Sequence, residues 1–95
     1  MFHSGTSYWP SGKGFLCSDE NYRSVTDRDE CRRAFTVIQD EYDPNTKEEI
    51  RHNDNWNNRP KGCFLNSPNN VIMWNPHSTG SRNTEDHQIC KLNGK

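Results

Sequence analysis

Four widely spaced cysteines constrain the fold of this chain more than any other feature of its sequence. They stand at Cys17, Cys31, Cys63 and Cys90, with separations of 14, 32 and 27 positions. Common zinc sites place two ligands within about two to four residues of each other, and neither the cysteines nor the four histidines have that spacing. The pattern therefore favours two disulfides in an oxidising compartment, and it predicts neither a metal site nor another cofactor.

The four cysteines can pair in three ways, and the sequence does not decide among them. We favour the nested arrangement, in which Cys31–Cys63 lies inside Cys17–Cys90. In the chain-entropy model each of these loops stabilises the fold by about 3.5–4.5 kcal/mol. Because small domains are stable by only ~5–15 kcal/mol, we expect the bridges to decide whether the chain folds.

Sparse apolar content explains why such cross-links are needed. Leu, Ile, Val and Phe make up only 14 of the 95 residues, below the roughly 20% at which composition begins to indicate disorder. A formal net charge of −1 and ten aromatic residues argue against disorder. The length predicts one domain.

Charge and hydropathy limit the partners and the location. Residues 1–16 contain no apolar segment of a secretory signal, and the longest apolar run, 71–74, is too short to span a membrane. We expect a secreted protein whose signal has been removed; a cytosolic protein with four reduced thiols is the alternative. The near-neutral charge predicts neither a nucleic-acid partner nor binding to an anionic membrane.

The spacing of apolar residues predicts one helix. Cys31, Ala34, Phe35 and Ile38 recur on one helical face, which predicts a helix over about 27–41. Thr26 and Asp29 have the spacing of a capping box at its start.

The remaining elements predict an α+β domain over residues 15–95. Two apolar runs, 62–65 and 71–74, are joined by five turn-forming residues and predict a hairpin, and 87–92 predicts a last strand. The predicted fold is one amphipathic helix packed on a small antiparallel sheet, with long polar loops at 43–61 and 75–86. Residues 1–14, rich in Ser, Gly and Pro, predict a flexible or partner-engaging arm.

Several short blocks of the sequence resemble a known class of module. They are 29–34, 60–64, Val71 with Trp74-Asn75, Gly80 and 89–91. In this order they resemble the cysteine-containing extracellular modules common in predicted proteins of algae and other protists, with the loose pattern EC..A, P.GC(F/Y), V.(F/W)N, G, ICK. The resemblance covers about residues 15–92. It implies secretion and disulfide pairing, and it assigns no binding residue.

Catalytic motifs are absent from the sequence. It contains no G-x-S-x-G or comparable arrangement, and paired cysteines do not act as nucleophiles. We therefore predict a protein without enzymatic activity and name no catalytic residue.

An aromatic residue in an Asn-rich segment is a candidate glycan site. The segment supplies Asp54, Asn55, Trp56, Asn57 and Arg59. A flat ring packs against the C–H groups of a sugar, and amides and carboxylates exchange hydrogen bonds with its hydroxyls. The alternative is that Trp56 folds back to cover a thin core.

Three functions follow from these features, in order of preference. The first is an interaction or structural module of an extracellular matrix, sheath or filament. It would bind other extracellular proteins or copies of itself, with Phe2, Tyr8 and Trp9 of the arm as contacts. The second is a glycan-binding module centred on Trp56. The third is a secreted defence protein, for which the lack of cationic excess argues against membrane attack.

Overall fold

The computed structural model describes residues 7–50 and 55–92. In chain order the elements are β1 (Tyr8–Pro10), a 3₁₀ helix (Cys17–Glu20), β2 (Arg23–Ser24), α1 (Arg28–Glu41), β3 (Lys47–Glu49), β4 (Pro60–Asn66), β5 (Val71–Gly80) and β6 (Asp86–Lys91). The α+β class is confirmed. No helix in these two ranges is long and apolar enough to cross a membrane.

The strands form one six-stranded sheet in the order β1-β6-β4-β5-β3, with β2 beside β6. Every pairing is antiparallel except that of β3 with β5, which is parallel. The predicted small antiparallel sheet is therefore matched only in part, because the sheet is mixed. Strand β3 lies on the far side of β5 rather than beside β4, and it runs in the same direction as β5.

The predicted helix is confirmed, but a different residue caps it. The carboxylate of Asp27 accepts a hydrogen bond from the backbone N–H of Glu30 at 2.9 Å, and this replaces the expected pairing of Thr26 with Asp29. Cys31, Ala34 and Ile38 lie on the buried face of α1. That face packs on the sheet, where the buried cluster comprises Val25, Cys31, Ala34, Ile38, Ile50, Cys63, Ile72, Trp74 and Ile89.

The hairpin is confirmed as β4 and β5. Asn66 pairs with Val71 and Cys63 with Trp74 across it. Strand β5 continues to Gly80, so the first half of the predicted polar loop 75–86 is strand. The predicted loop 43–61 likewise contains β3.

The backbone of Val25 forms hydrogen bonds with both β4 and β6, at the point where these two strands diverge. The N–H of Val25 donates to the carbonyl of Ile89 in β6 at 3.1 Å, and its own carbonyl accepts from the N–H of Cys63 in β4 at 3.0 Å. Gly62 makes this approach possible, because a Cβ at that position would overlap the Val25 carbonyl oxygen. Gly62 also has φ of +79°, which glycine adopts without strain.

Part of the expected N-terminal arm belongs to the sheet. Tyr8–Pro10 form β1, which pairs with Ile89, Cys90 and Lys91 of β6. Just after it, the N–H of Ser11 donates to the carbonyl of Gln88 at 2.8 Å. Residues 1–6, and with them the predicted contact Phe2, lie outside the described residues.

Two disulfides connect the layers in the nested arrangement. Cys17–Cys90 joins the 3₁₀ helix to β6, and Cys31–Cys63 joins α1 to β4. All four cysteines are fully buried. Disulfides of this kind are typical of small secreted proteins, whose cores are too small to be stable alone.

Candidate functional site

The sheet face that does not meet α1 carries aromatic and polar groups covered by loops. Phe64 is fully buried there. The ring of Trp56 stands nearly perpendicular to that of Phe64, at 84° and a centroid distance of 5.8 Å. The guanidinium of Arg59 lies 5.9 Å from the Trp56 ring and 6.0 Å from the Phe64 ring, within range of a cation–π contact.

A buried ion pair anchors this cluster. Nη1 of Arg59 lies 3.1 and 3.2 Å from the two carboxylate oxygens of Asp86, whose side chain is completely buried. Asn66 donates a further hydrogen bond to the same carboxylate at 2.9 Å. Burial raises the pKa of Asp86, while the bonds from Asn66 and Arg59 act in the opposite direction.

Asn75 holds the loop that carries Trp56. Its side-chain oxygen accepts from the N–H of Trp56 at 2.9 Å and from that of His77 at 3.2 Å. Its amide nitrogen donates to the carbonyls of Trp56, Arg59 and Pro60 at 2.8 to 3.1 Å. A single buried amide thus fixes the backbone of residues 56–60.

The predicted glycan site is only partly assembled in this region. Trp56 is half-buried, and Asn55 and Asn57 are exposed beside it. Arg59 is turned inward to Asp86, and its contact with Trp56 belongs to the packing of this face. The fifth predicted residue, Asp54, lies outside the described residues.

The two described aromatic residues of the predicted arm point to opposite sides of β1. The Oη of Tyr8 donates to Oε2 of Glu30 at 2.9 Å, and Nζ of Lys91 donates to the other oxygen of that carboxylate at 2.8 Å. Trp9 instead packs edge-to-face against Tyr22, at 4.8 Å between centroids. Burial, followed by the Glu30 bond, raises the pKa of Tyr8. Burial opposes ionisation of Glu30, but the bonds from Lys91 and Tyr8 outweigh it and lower its pKa.

The two edge strands of the sheet, β1 and β3, differ in the chemistry of their side chains. At one end, β3 consists of Lys47, Glu48 and Glu49, all exposed. At the other end, β1 carries two aromatic residues and a proline and no charge. Charged residues discourage the pairing of an edge strand with another chain, so β3 is protected in a way that β1 is not.

The outward backbone groups of β1 follow from its register. Since the N–H of Ser11 donates to Gln88, the alternation of an antiparallel pair directs the backbone of Trp9 toward Cys90. The backbone groups of Tyr8 and Pro10 therefore point away from β6. Among the described residues, no strand pairs with this outer edge.

An open cleft of about 440 Å³ lies beside the 3₁₀ helix and β2. Its walls are formed by Ser18, Tyr22, Arg23, Ser24, Thr26, Lys61 and Gln88. A second, smaller cleft of about 190 Å³ shares Thr26 and Lys61 with it and continues along Gly62, Trp74, Asn75, Pro76, His77 and Ser78. The sequence gives no signal of these clefts, because Lys61 joins residues 18–26 only through the fold.

Both histidines in the described part of the chain form hydrogen bonds with backbone groups. Nδ1 of His77 accepts from the N–H of Gly80 at 2.8 Å and from that of Thr79 at 3.2 Å, and Nδ1 of His87 lies 2.8 Å from the carbonyl of Ser11. Within residues 7–50 and 55–92, no group of three or more His, Cys, Asp or Glu side chains is arranged to hold a metal ion.

Comparisons with known proteins were made by family, by sequence and by structure. No family model, no curated protein and no solved structure matches the chain.

Proposed function

We propose that the protein is a secreted, non-enzymatic module that builds an extracellular matrix, sheath or filament by pairing with another copy of itself. The observation that carries the proposal is the outer edge of β1. It offers the N–H and carbonyl of Tyr8 and the carbonyl of Pro10, with no charged residue in the strand. Edge strands with free backbone groups pair readily with another chain.

A second copy is the partner that this edge fits best. A two-fold axis beside β1 would bring the same strand from two copies together in a self-complementary pair, in which residue i of one copy meets residue j of the other and residue j meets residue i. Because β1 is uncharged, the two strands would approach without repulsion from like charges. The other end of the sheet, with its three charged residues, favours a free surface.

The chemistry of the interior supports a structural role. Both disulfides consume the thiols, and the imidazole nitrogen of His77 accepts two backbone hydrogen bonds near the end of β5. These four thiols and this imidazole thus have structural roles, which supports the proposal. The two disulfides also support a location outside the cell.

The proposal is tested by two substitutions at one residue. Tyr8→Pro removes the outward N–H of β1, whereas Tyr8→Ala removes the same side chain and keeps the N–H. The strand already contains Pro10, which indicates that β1 tolerates a proline ring. We expect sedimentation velocity to detect a concentration-dependent dimer for the wild type and for Tyr8→Ala, and a monomer for Tyr8→Pro.

Thermal melts of both variants serve as the control for folding. A wild type that stays monomeric at high concentration would overturn the proposal. So would equal self-association of the two folded variants, because the edge N–H would then have no role in it.

A further inference from the structure

We propose that the cleft beside the 3₁₀ helix binds acidic polysaccharide, meaning a chain of sugars that carries carboxylate or sulfate groups. This inference does not depend on self-association through β1. It concerns a site separate from the predicted one around Trp56, and it rests on the charges, the hydrogen-bonding groups and the shape of the cleft.

Two cationic residues line the cleft. Arg23 and Lys61 both line it, and neither forms an ion pair with any residue of 7–50 or 55–92. No described Asp or Glu is among the lining residues. The two carboxylates of the neighbouring 3₁₀ helix are already bonded, Asp19 to Arg82 at 2.6 Å and Glu20 to the N–H of Gly12 at 3.1 Å. Among the described residues, the walls of the cleft therefore carry two positive charges and no negative one, and this favours an anionic ligand.

The other lining groups match a sugar. Ser18, Ser24 and Thr26 supply hydroxyls, which donate to and accept from sugar hydroxyls alike. Tyr22, a residue that is 39% exposed, adds an aromatic ring that packs on one side against Trp9. Such a ring gives a surface for the C–H face of a sugar at little cost in side-chain entropy.

The shape favours an oligomer over a single sugar. Thr26 and Lys61 belong both to this cleft and to the smaller one along Trp74 and His77, so the two clefts adjoin at these residues. Lys61 lies where the two clefts join and is placed to contact acidic groups on successive sugars. An acidic peptide is a poorer match, because the larger cleft is lined mainly by hydroxyl, amide and cationic groups and has no aliphatic pocket for side chains.

The test is calorimetric binding to the full chain. The probes are an oligomer of galacturonic acid, a sulfated galactose oligomer, a neutral galactose oligomer of equal length, and poly-glutamate. We expect binding of at least one of the two acidic sugars and none of the neutral one. Whichever acidic sugar binds identifies the acidic group that the site prefers.

Three single substitutions locate the site. Arg23→Gln and Lys61→Gln should each raise the Kd at least about tenfold, because each removes a charge-assisted hydrogen bond. Lys47→Gln removes the same charge from β3, at the opposite end of the sheet, and should leave the Kd unchanged. Melting temperatures of the three variants establish that all are folded.

Three outcomes would overturn the proposal. They are failure of both acidic oligomers to bind, an equal loss of affinity for all three variants, and poly-glutamate binding at least as tightly as the sugars. The last would assign the cleft to acidic peptides instead. The dimer test on Tyr8 is independent of these results, so each proposal can fail alone.

Discussion

The guanidinium of Arg59 reaches over the loop-covered face of the sheet and bonds both oxygens of the fully buried carboxylate of Asp86, at 3.1 and 3.2 Å. The same guanidinium lies against the rings of Trp56 and Phe64. This one side chain therefore neutralises the buried carboxylate and also packs against the aromatic rings on the sheet face that does not meet α1.

Replacing the arginine should destabilise the fold strongly. Arg59→Met keeps much of the aliphatic length but leaves the Asp86 carboxylate buried without its counter-ion. Breaking a buried pair in this way costs ~3–5 kcal/mol, and since Arg59 is 26% exposed we expect a loss of about 3 kcal/mol at neutral pH. Urea denaturation measures this loss. Because protonation neutralises Asp86, the loss should shrink in acid.

An exposed arginine pair provides the matched control. Arg82 bonds Asp19 at 2.6 Å, but the two side chains are 54% and 29% exposed. Arg82→Met should therefore cost less than about 1 kcal/mol. Equal losses for the two arginine variants would contradict the role assigned to the buried pair.

Gly62 should tolerate substitution far less than another glycine of the same conformation. Gly62 and Gly14 have φ of +79° and +82°, so Gly→Ala brings a similar backbone strain of about 1–2 kcal/mol at either site. At Gly62 the new Cβ would also overlap the Val25 carbonyl, whereas at Gly14 the nearest atom is 3.6 Å away. Chemical denaturation should therefore give a clearly larger loss for Gly62→Ala. Equal losses would mean that Val25 moves aside freely.

Both disulfides should be needed for a stable fold. The loops closed by Cys17–Cys90 and Cys31–Cys63 span separations of 73 and 32 residues. The chain-entropy model gives them about 4.4 and 3.7 kcal/mol. Together these approach the whole stability of a small domain. We expect reduction to abolish the near-ultraviolet circular dichroism, and retention of that signal would contradict this prediction.

Acid should weaken the contact between α1 and the β1–β6 edge. The bonds from Lys91 and Tyr8 hold the pKa of Glu30 below its ordinary value despite the opposing effect of burial. A carboxyl with a lowered folded-state pKa stabilises the protein above its unfolded pKa and loses that effect as pH falls through the folded one. The free energy of unfolding of Glu30→Gln should therefore fall less steeply in acid than that of the wild type.

An unpaired glutamate is the control for this pH dependence. Glu49 is exposed on β3 and forms no ion pair with another described residue. Glu49→Gln should keep the acid dependence of the wild type. If both variants reduce the pH dependence of the free energy of unfolding equally, the effect comes from the total charge of the protein rather than from the bonds of Glu30.

Local patterns in the sequence predicted the elements that bury apolar side chains at a regular spacing. Helix α1 follows from Cys31, Ala34 and Ile38 on one face, and the β4–β5 hairpin follows from two apolar runs with turn residues between them. Strand β3 has no such pattern, because its residues are charged and exposed and only its pairing with β5 makes it a strand.

The candidate surfaces depend on contacts between distant residues. Arg59 and Asp86 are 27 positions apart, and Lys61 joins the 18–26 segment only because Val25 lies between β4 and β6. The sequence identified Trp56 and Tyr8 as aromatic residues in polar surroundings. It carried no signal that Arg59 turns inward or that Arg23 pairs with no carboxylate in the described part of the chain. Such facts depend on the tertiary fold.

The position of the longer disulfide has a mechanical consequence. When tension is applied to the chain on either side of Cys17 and Cys90, the force passes through the covalent bond, and the 72 residues between them carry none of it. Of the described residues, only those before Cys17 and after Cys90 can extend, and β1 would peel from β6 first. Helix α1 and most of the sheet would therefore stay folded under tension, while the chain on either side of them is stretched.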